Sequence, residues 1–287
     1  MQTITSGDTQ MPALGFGTWQ LEGPDARRMV EAALEIGYRH IDTACIYKNE
    51  REVGEAIRAS GVPREEIFLT TKIWTDSFRD GDLQRAAEGS VERLGVGPVD
   101  LLLLHWPKPH PPLEETMRAL NDARSQGLTR AIGLSNFPSA VFERAARASE
   151  APLATNQVEY HPYLSQRRLR ETLDRHGASL TAWSPLAQGE VANDPVLKAI
   201  GAAHGKSPGQ VTLRWLVQQG TVAIPRTTKE HRARENFDIF DFELSDEEMS
   251  RIFGLTRPTG GSASGSTPPS SGTPLKLGYC VDVNVNL

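Results

Sequence analysis

The chain has 287 residues, 38% of them hydrophobic, enough to bury a large core as one barrel-sized domain or two ordinary ones. Its formal charge of -5, with Lys and Arg dispersed, leaves no basic stripe to track a phosphate backbone, which excludes nucleic acid as an expected partner. Two cysteines, a polar opening stretch and no apolar run long enough for a bilayer point to a cytoplasmic location and no membrane association.

Taken in order, Leu14-Gly15-Phe16-Gly17-Thr18-Trp19 predicts a short strand. Met29, Val30, Ala33, Leu34 and Ile36 then recur at mostly helical spacing over 24–36. The unit repeats, with strands at 40–44, 67–73 and 99–106 followed by helices at 50–59, 82–94 and 113–126. Gly37, Gly61, Gly95 and Gly127 each stand just past a predicted helix, where a left-handed C-terminal cap favours glycine. The second half keeps the rhythm: strand 129–135 and helix 139–148, strand 154–159 and helix 166–176, strand 179–184 and helices near 194–204 and 208–219, strand 221–225 and a helix at about 230–237. Eight such units predict a parallel sheet, and closure into a single-domain (β/α)8 TIM barrel over 1–258 accounts for count and length together. An open doubly wound sheet usually carries G-x-G-x-x-G after its first strand, and Gly15-Phe16-Gly17-Thr18-Trp19-Gln20 lacks the third glycine. Residues 259–274 are small, uncharged and rich in Gly, Ser and Pro, so 259–287 is expected to form a separate tail, with Val281, Val283 and Val285 alternating as in a half-exposed strand.

Chemistry collects where the predicted strands end. Tyr38 to Glu50 carries Asp42 in an apolar-bounded strand and Tyr47 in the loop beyond; an acid so placed needs a cation or hydrogen bonds. Lys72 ends the strand at 67–73, and His105 ends the one at 99–106. In a barrel the C-terminal strand ends share one face, so the four can converge. A phenol with a pKa of about 10 is a poor acid at neutral pH. A neighbouring ammonium eases its ionisation and a carboxylate holds that ammonium, letting Tyr47 protonate a carbonyl oxygen while neutral His105 donates a hydrogen bond to it. Trp19, Trp74 and Trp106 sit at strand ends on the same face and are expected to line the pocket. His105 and His110 flank Trp106-Pro107-Lys108-Pro109, which breaks helical spacing, so no metal is expected. Ser135 and Ser184 lack a G-x-S-x-G elbow. His40 is expected to be structural.

Several motifs occur jointly and in order: Leu14-Gly15-Phe16-Gly17-Thr18, Tyr38-Arg39-His40-Ile41-Asp42-Thr43-Ala44 with Tyr47, Thr71-Lys72, Leu104-His105-Trp106-Pro107, Ile132-Gly133-Leu134-Ser135-Asn136-Phe137, and Ile224-Pro225 with Arg232, Glu235 and Asn236. Over about residues 1–255 the chain resembles the aldo-keto reductase superfamily. Ser184-Pro185-Leu186-Ala187-Gln188-Gly189, followed by Pro195-Val196-Leu197, is most similar to the bacterial 2,5-diketo-D-gluconic acid reductase group. The resemblance implies that Asp42, Tyr47, Lys72 and His105 are a catalytic tetrad and that a nicotinamide dinucleotide lies extended across the barrel mouth. It implies further that Ser135, Asn136 and Gln157 hydrogen-bond the nicotinamide amide and that Trp183 stacks on its ring. Ser184, Leu186, Gln188 and Gly189 fall in the loop that passes over the pyrophosphate.

The expected reaction is reduction of aldehydes or activated ketones, with a small-molecule carbonyl as partner and a monomer as the working unit. Diketo sugar acids, α-keto aldehydes, β-keto esters and simple aromatic aldehydes are the expected range. A binding protein that keeps the barrel without turnover and a phosphosugar isomerase or aldolase are the competing classes; the intact Asp42, Tyr47, Lys72 and His105 set argues against the first. For the cofactor, Arg226 and Thr227 follow the eighth strand and Arg232 lies on the next helix, where guanidinium groups suit an adenosine 2′-phosphate. Glu235 and Asn236 resemble the pair that holds the adenine amine. Many relatives have Lys and Ser where this chain has Arg226 and Thr227, so NADPH is expected as the preferred cofactor and NADH as a weaker alternative.

Overall fold

A computed structural model describes residues 2–257, and the expected tail at 259–287, with its alternating valines, lies outside the described residues. A hairpin of β1 (Thr3–Ser6) and β2 (Thr9–Pro12) comes first. Strand and helix then alternate as β3 (Phe16–Gly17), α1 (Gly23–Ile36), β4 (His40–Asp42), α2 (Glu50–Ala59), β5 (Phe68–Ile73), α3 (Asp82–Leu94), β6 (Val99–Leu104) and α4 (Leu113–Ser125). The second half runs β7 (Thr129–Ser135), α5 (Ser139–Ala148), β8 (Leu153–Glu159), α6 (Arg167–Arg175), β9 (Ser179–Trp183), α7 (Pro195–His204), α8 (Pro208–Gln218), β10 (Val222–Ile224), α9 (Glu230–Phe237) and α10 (Asp246–Phe253).

Strands β3 to β10 pair in sequence order and all in parallel. The ends of this sheet meet: Leu14 bridges Ala223, Gly15 N donates to Ala223 O at 2.9 Å and Ala223 N to Ala13 O at 2.9 Å. That seam makes the sheet a (β/α)8 barrel. β6 is buried along its whole length, as a barrel strand covered on both faces must be. The helices turn one apolar stripe inward, exemplified by Ala26, Met29, Val30, Ala33 and Leu34 of α1. Gly37, Gly61, Gly95 and Gly127 all take positive φ, as expected of residues that end helices; Gly95 N bonds back to Val91 O at 2.9 Å.

Two elements go beyond the expected set. The hairpin buries Ile4 and Met11, and Ser6 Oγ bonds Ala154 O and accepts from Ser179 N, so it caps the starts of β8 and β9. Helix α10 packs on α7 after the last barrel unit. β3 is also shorter than the predicted strand: Thr18 still bonds Asp42 O through its N and Oγ1, each at 3.0 Å, and the chain then turns, with Leu21 N donating to Thr18 O at 3.1 Å.

Candidate active site

Asp42 closes β4 and Lys72 lies near the end of β5, and their side chains meet inside the barrel. Lys72 Nζ donates to Asp42 Oδ1 at 2.5 Å and to Thr43 O at 2.8 Å. Gln157, from β8, donates Nε2 to the other carboxylate oxygen at 2.7 Å. Lys72 is fully buried, and the pair is tolerable there because further hydrogen bonds satisfy both partners. Above it, Tyr47 ends the short helical turn Cys45–Tyr47, with its ring centroid 5.1 Å from Lys72 Nζ. His105, held by its backbone N–H to Ile73 O at 3.1 Å, brings its ring to 5.7 Å from that of Tyr47. The structure thus brings Asp42, Tyr47, Lys72 and His105 together. Trp19 packs on Tyr47 with centroids 4.9 Å apart, and Trp74 meets His105 edge-on at 5.1 Å. Trp106 is half-buried one residue beyond His105.

Burial holds the Tyr47 phenol well above its ordinary pKa, and Asp42 adds to the effect. Lys72 directs two donors to Asp42 and Thr43, and burial leaves the Tyr47 phenol protonated in the resting site, the state a proton donor needs. Burial also pulls the Lys72 ammonium below its ordinary value, with Asp42 opposing. His105 is held well below the usual imidazole value by burial and then by Lys72, so it is neutral near pH 7.

Around this cluster, Asn136 at φ 66 is left-handed; it donates Nδ2 to His105 O at 2.9 Å and accepts from Trp183 Nε1 at 2.9 Å. Ser135 Oγ donates to Gln157 O at 2.8 Å. Ser184, Ala187, Gln188 and Gly189 all have positive φ, which folds the loop after β9 sharply back while leaving Gln188 and Gly189 exposed; Leu186 is half-buried there. After β10, Arg226 and Arg232 are exposed, Thr227 and Glu235 half-buried and Asn236 buried. Among the described residues, the Arg232 guanidinium makes only a loose contact with Glu235, 3.5 Å, on α9.

Residues 13–256 match the family model described as the aldo/keto reductase family. The chain belongs to the aldo/keto reductase family. An aldo-keto reductase of Mycolicibacterium smegmatis is 45% identical over 255 residues, covering 88% of this chain and 92% of its own. The glyoxal reductase of Bacillus subtilis is 46% identical over 249 residues, covering 86% and 90%. A solved structure provisionally described as 2,5-diketo-D-gluconic acid reductase B superposes with a TM-score of 0.90 at 47% identity, covering 96% of each chain.

Aldo/keto reductases use a nicotinamide dinucleotide, and the residues present fit that group. Trp183 is half-buried and tied through Asn136 to His105 O, Gln188 and Gly189 of the following loop are exposed, and among the described residues the Arg232 guanidinium has one loose ion-pair partner. Among the described residues no group of three or more His, Cys, Asp or Glu side chains could hold a metal ion, and no helix is long and apolar enough to cross a membrane. Sequence reasoning missed Asn49. An asparagine ahead of a helix usually suggests a cap, but its side chain here donates to Thr18 O and Leu21 O, each at 2.9 Å, and accepts from Thr43 Oγ1 at 2.7 Å. It also missed that Gln157 bonds Asp42, a contact between opposite sides of the barrel that no local pattern reveals.

Proposed function

We propose that this aldo/keto reductase reduces aldehydes and activated ketones to alcohols, prefers NADPH over NADH, and uses Tyr47 as the proton donor. The observation that carries the reading is the buried Lys72–Asp42 pair set beneath Tyr47, with neutral His105 alongside. The bound dinucleotide supplies a hydride to the carbonyl carbon. Tyr47, protonated at neutral pH, releases its proton to the carbonyl oxygen as negative charge develops there. Lys72, 5.1 Å from the phenol ring, lowers the cost of the charge left on Tyr47, and Asp42 with Gln157 keeps that ammonium in place. His105 orients the oxygen by a hydrogen bond that costs no reorganisation.

Ser135, Asn136, Gln157 and Trp183 would hold the nicotinamide end; Ser184, Leu186, Gln188 and Gly189 the pyrophosphate; Arg226, Thr227 and Arg232 the 2′-phosphate; Glu235 and Asn236 the adenine. Trp19, Trp74 and Trp106 line the carbonyl pocket in this reading. Similarity to the glyoxal reductase and to the structure provisionally described as 2,5-diketo-D-gluconic acid reductase B supports small dicarbonyls and diketo sugar acids as this chain's substrates. The enzyme is expected to work as a cytoplasmic monomer. The test follows NADPH consumption with methylglyoxal. Tyr47→Phe should lose roughly 100-fold to 10,000-fold in turnover, the usual share of positioned acid catalysis, while nucleotide binding measured by fluorescence is nearly unchanged. A wild-type enzyme no faster than this variant would overturn the assignment.

A further inference from the structure

The barrel closes between β3 and β10, and the top of that seam is unusually tight. Gly17 N donates to Pro225 O at 3.0 Å, and a Cβ on Gly17 would stand 3.0 Å from Ile224 Cγ2 and 3.6 Å from Arg226 Cβ. This approach lets Arg226, the first residue beyond Pro225, lie across the loop 18–21. Its Nε donates to Trp19 O at 2.8 Å and its Nη2 to Gln20 O at 3.0 Å. On the other side Asn49 takes Thr18 O and Leu21 O. Four consecutive carbonyls are therefore gripped, two by a buried amide and two by the planar fork of one guanidinium. Gln20 sits at φ 57, a left-handed conformation that a glutamine keeps when its surroundings impose it. The side chain that this loop presents to the site is Trp19, packed on Tyr47.

We propose that Arg226 is a positioning residue for the carbonyl pocket. It holds Trp19 against Tyr47 through the backbone of residues 19 and 20, in addition to any contact with the dinucleotide phosphate. The proposal rests on the reductase reading for what Trp19 does, and on the seam alone for what Arg226 holds. Two of the guanidinium's three nitrogens are committed to the loop, so Arg226 ties the end of the site that faces the nucleotide to the wall that faces the substrate. A lysine would keep the positive charge and lose the two-nitrogen fork.

The test uses NADH as well as NADPH, because NADH lacks the 2′-phosphate and removes that contact without a mutation. With saturating NADH and an aromatic aldehyde, Arg226→Ala should raise KM for the aldehyde about tenfold, the worth of roughly one charge-assisted hydrogen bond. Its Kd for NADH should not change. With NADH, Arg226→Lys should raise KM for the aldehyde to the same extent, since an ammonium keeps the charge and loses the two-nitrogen fork. In the Trp19→Ala background, Arg226→Ala should add little to KM, because the side chain it positions is gone. Hydrogen exchange gives a readout that needs no turnover: backbone amides within 18–24 should exchange faster in both Arg226 variants. Unchanged exchange overturns the clamp, and faster exchange with an unchanged KM in NADH overturns the positioning role. If the parent enzyme turns over no carbonyl, the reductase reading fails and the positioning role with it, while exchange alone still decides whether Arg226 grips the loop.

Discussion

Lys72 carries two duties on one buried ammonium, since it neutralises Asp42 and supports the developing charge on Tyr47. Lys72→Met removes both. Asp42 would then be a buried carboxylate bonded only by Gln157 among its present side-chain partners, and breaking a buried pair in this way costs about 3–5 kcal/mol. Urea unfolding should show that loss, and turnover should fall to the level of Tyr47→Phe. Adding Asp42→Asn removes the stranded charge, so the double variant should regain much of the stability and none of the turnover; recovery of both would mean that the pair is structural only. Arg232 faces solvent with 58% of its side chain exposed. Arg232→Ala should weaken NADPH binding by roughly 10-fold to 100-fold, the scale of a charge-assisted hydrogen bond, and leave NADH nearly unaffected. Equal losses for both cofactors would show that Arg232 does not read the 2′-phosphate. Asp42, Lys72 and His105 were legible because charged or titratable residues at the ends of apolar strands demand partners. The grip of Gln157 on Asp42 was not, because it joins residues 115 apart in sequence and depends on the register right round the barrel. The upward shift of the phenol was also illegible, since it follows from burial.

At the level of elements, Gly54 separates local propensity from packing. A glycine in the middle of α2 costs about 1 kcal/mol relative to alanine, which taken alone predicts that Gly54→Ala stabilises. The structure reverses the sign. A Cβ at this position would lie 1.7 Å from Leu94 O at the end of α3, and Arg58, one turn on, donates Nη1 to that same carbonyl at 2.8 Å. Gly54→Ala should therefore destabilise by about 3 kcal/mol or more, as overpacking against backbone does. Thermal unfolding checks this, and an unchanged or higher midpoint would mean that the helices separate at no cost. The succession of strands and helices was legible because short apolar runs, buried on both faces, alternate with stretches whose apolar residues recur at helical spacing. Helix α10 had a signal that was available and passed over: Ser245 and Glu248 form a reciprocal capping box, with Ser245 N donating to Glu248 Oε2 at 2.8 Å. The opening hairpin had none as strong, since Thr3–Ser6 and Thr9–Pro12 are short and their bonds run to β8 and β9, far along the chain.

Across the whole molecule, closing eight strands into a ring forces polar side chains to share the interior with the apolar core. His40, on β4, is 1% exposed; its Nε2 lies 3.1 Å from Thr70 Oγ1 and its ring meets Phe68 edge-on at 4.9 Å. Burial pushes its pKa down to about 4, and His105 is likewise held low by burial and Lys72. The ordinary imidazole value is about 6.5, so between about pH 6.5 and pH 4 the unfolded chain binds a proton at each site that the folded chain refuses. More protons on the unfolded side mean that stability rises with pH across this window and is lost as pH falls. Each histidine can contribute a slope approaching 1.4 kcal/mol per pH unit, and the interval from pH 6 to pH 5 is the cleanest, because below it the paired carboxylates also begin to titrate. Urea midpoints at pH 7, 6 and 5 should fall in that order for the parent chain. His40→Gln removes one of the two titrations, so its midpoints should start lower at pH 7, where the packing change is felt, and then decline about half as steeply between pH 6 and pH 5. A variant with the parent slope would show that His40 is already protonated inside the barrel, which would require a carboxylate or water partner reaching its ring.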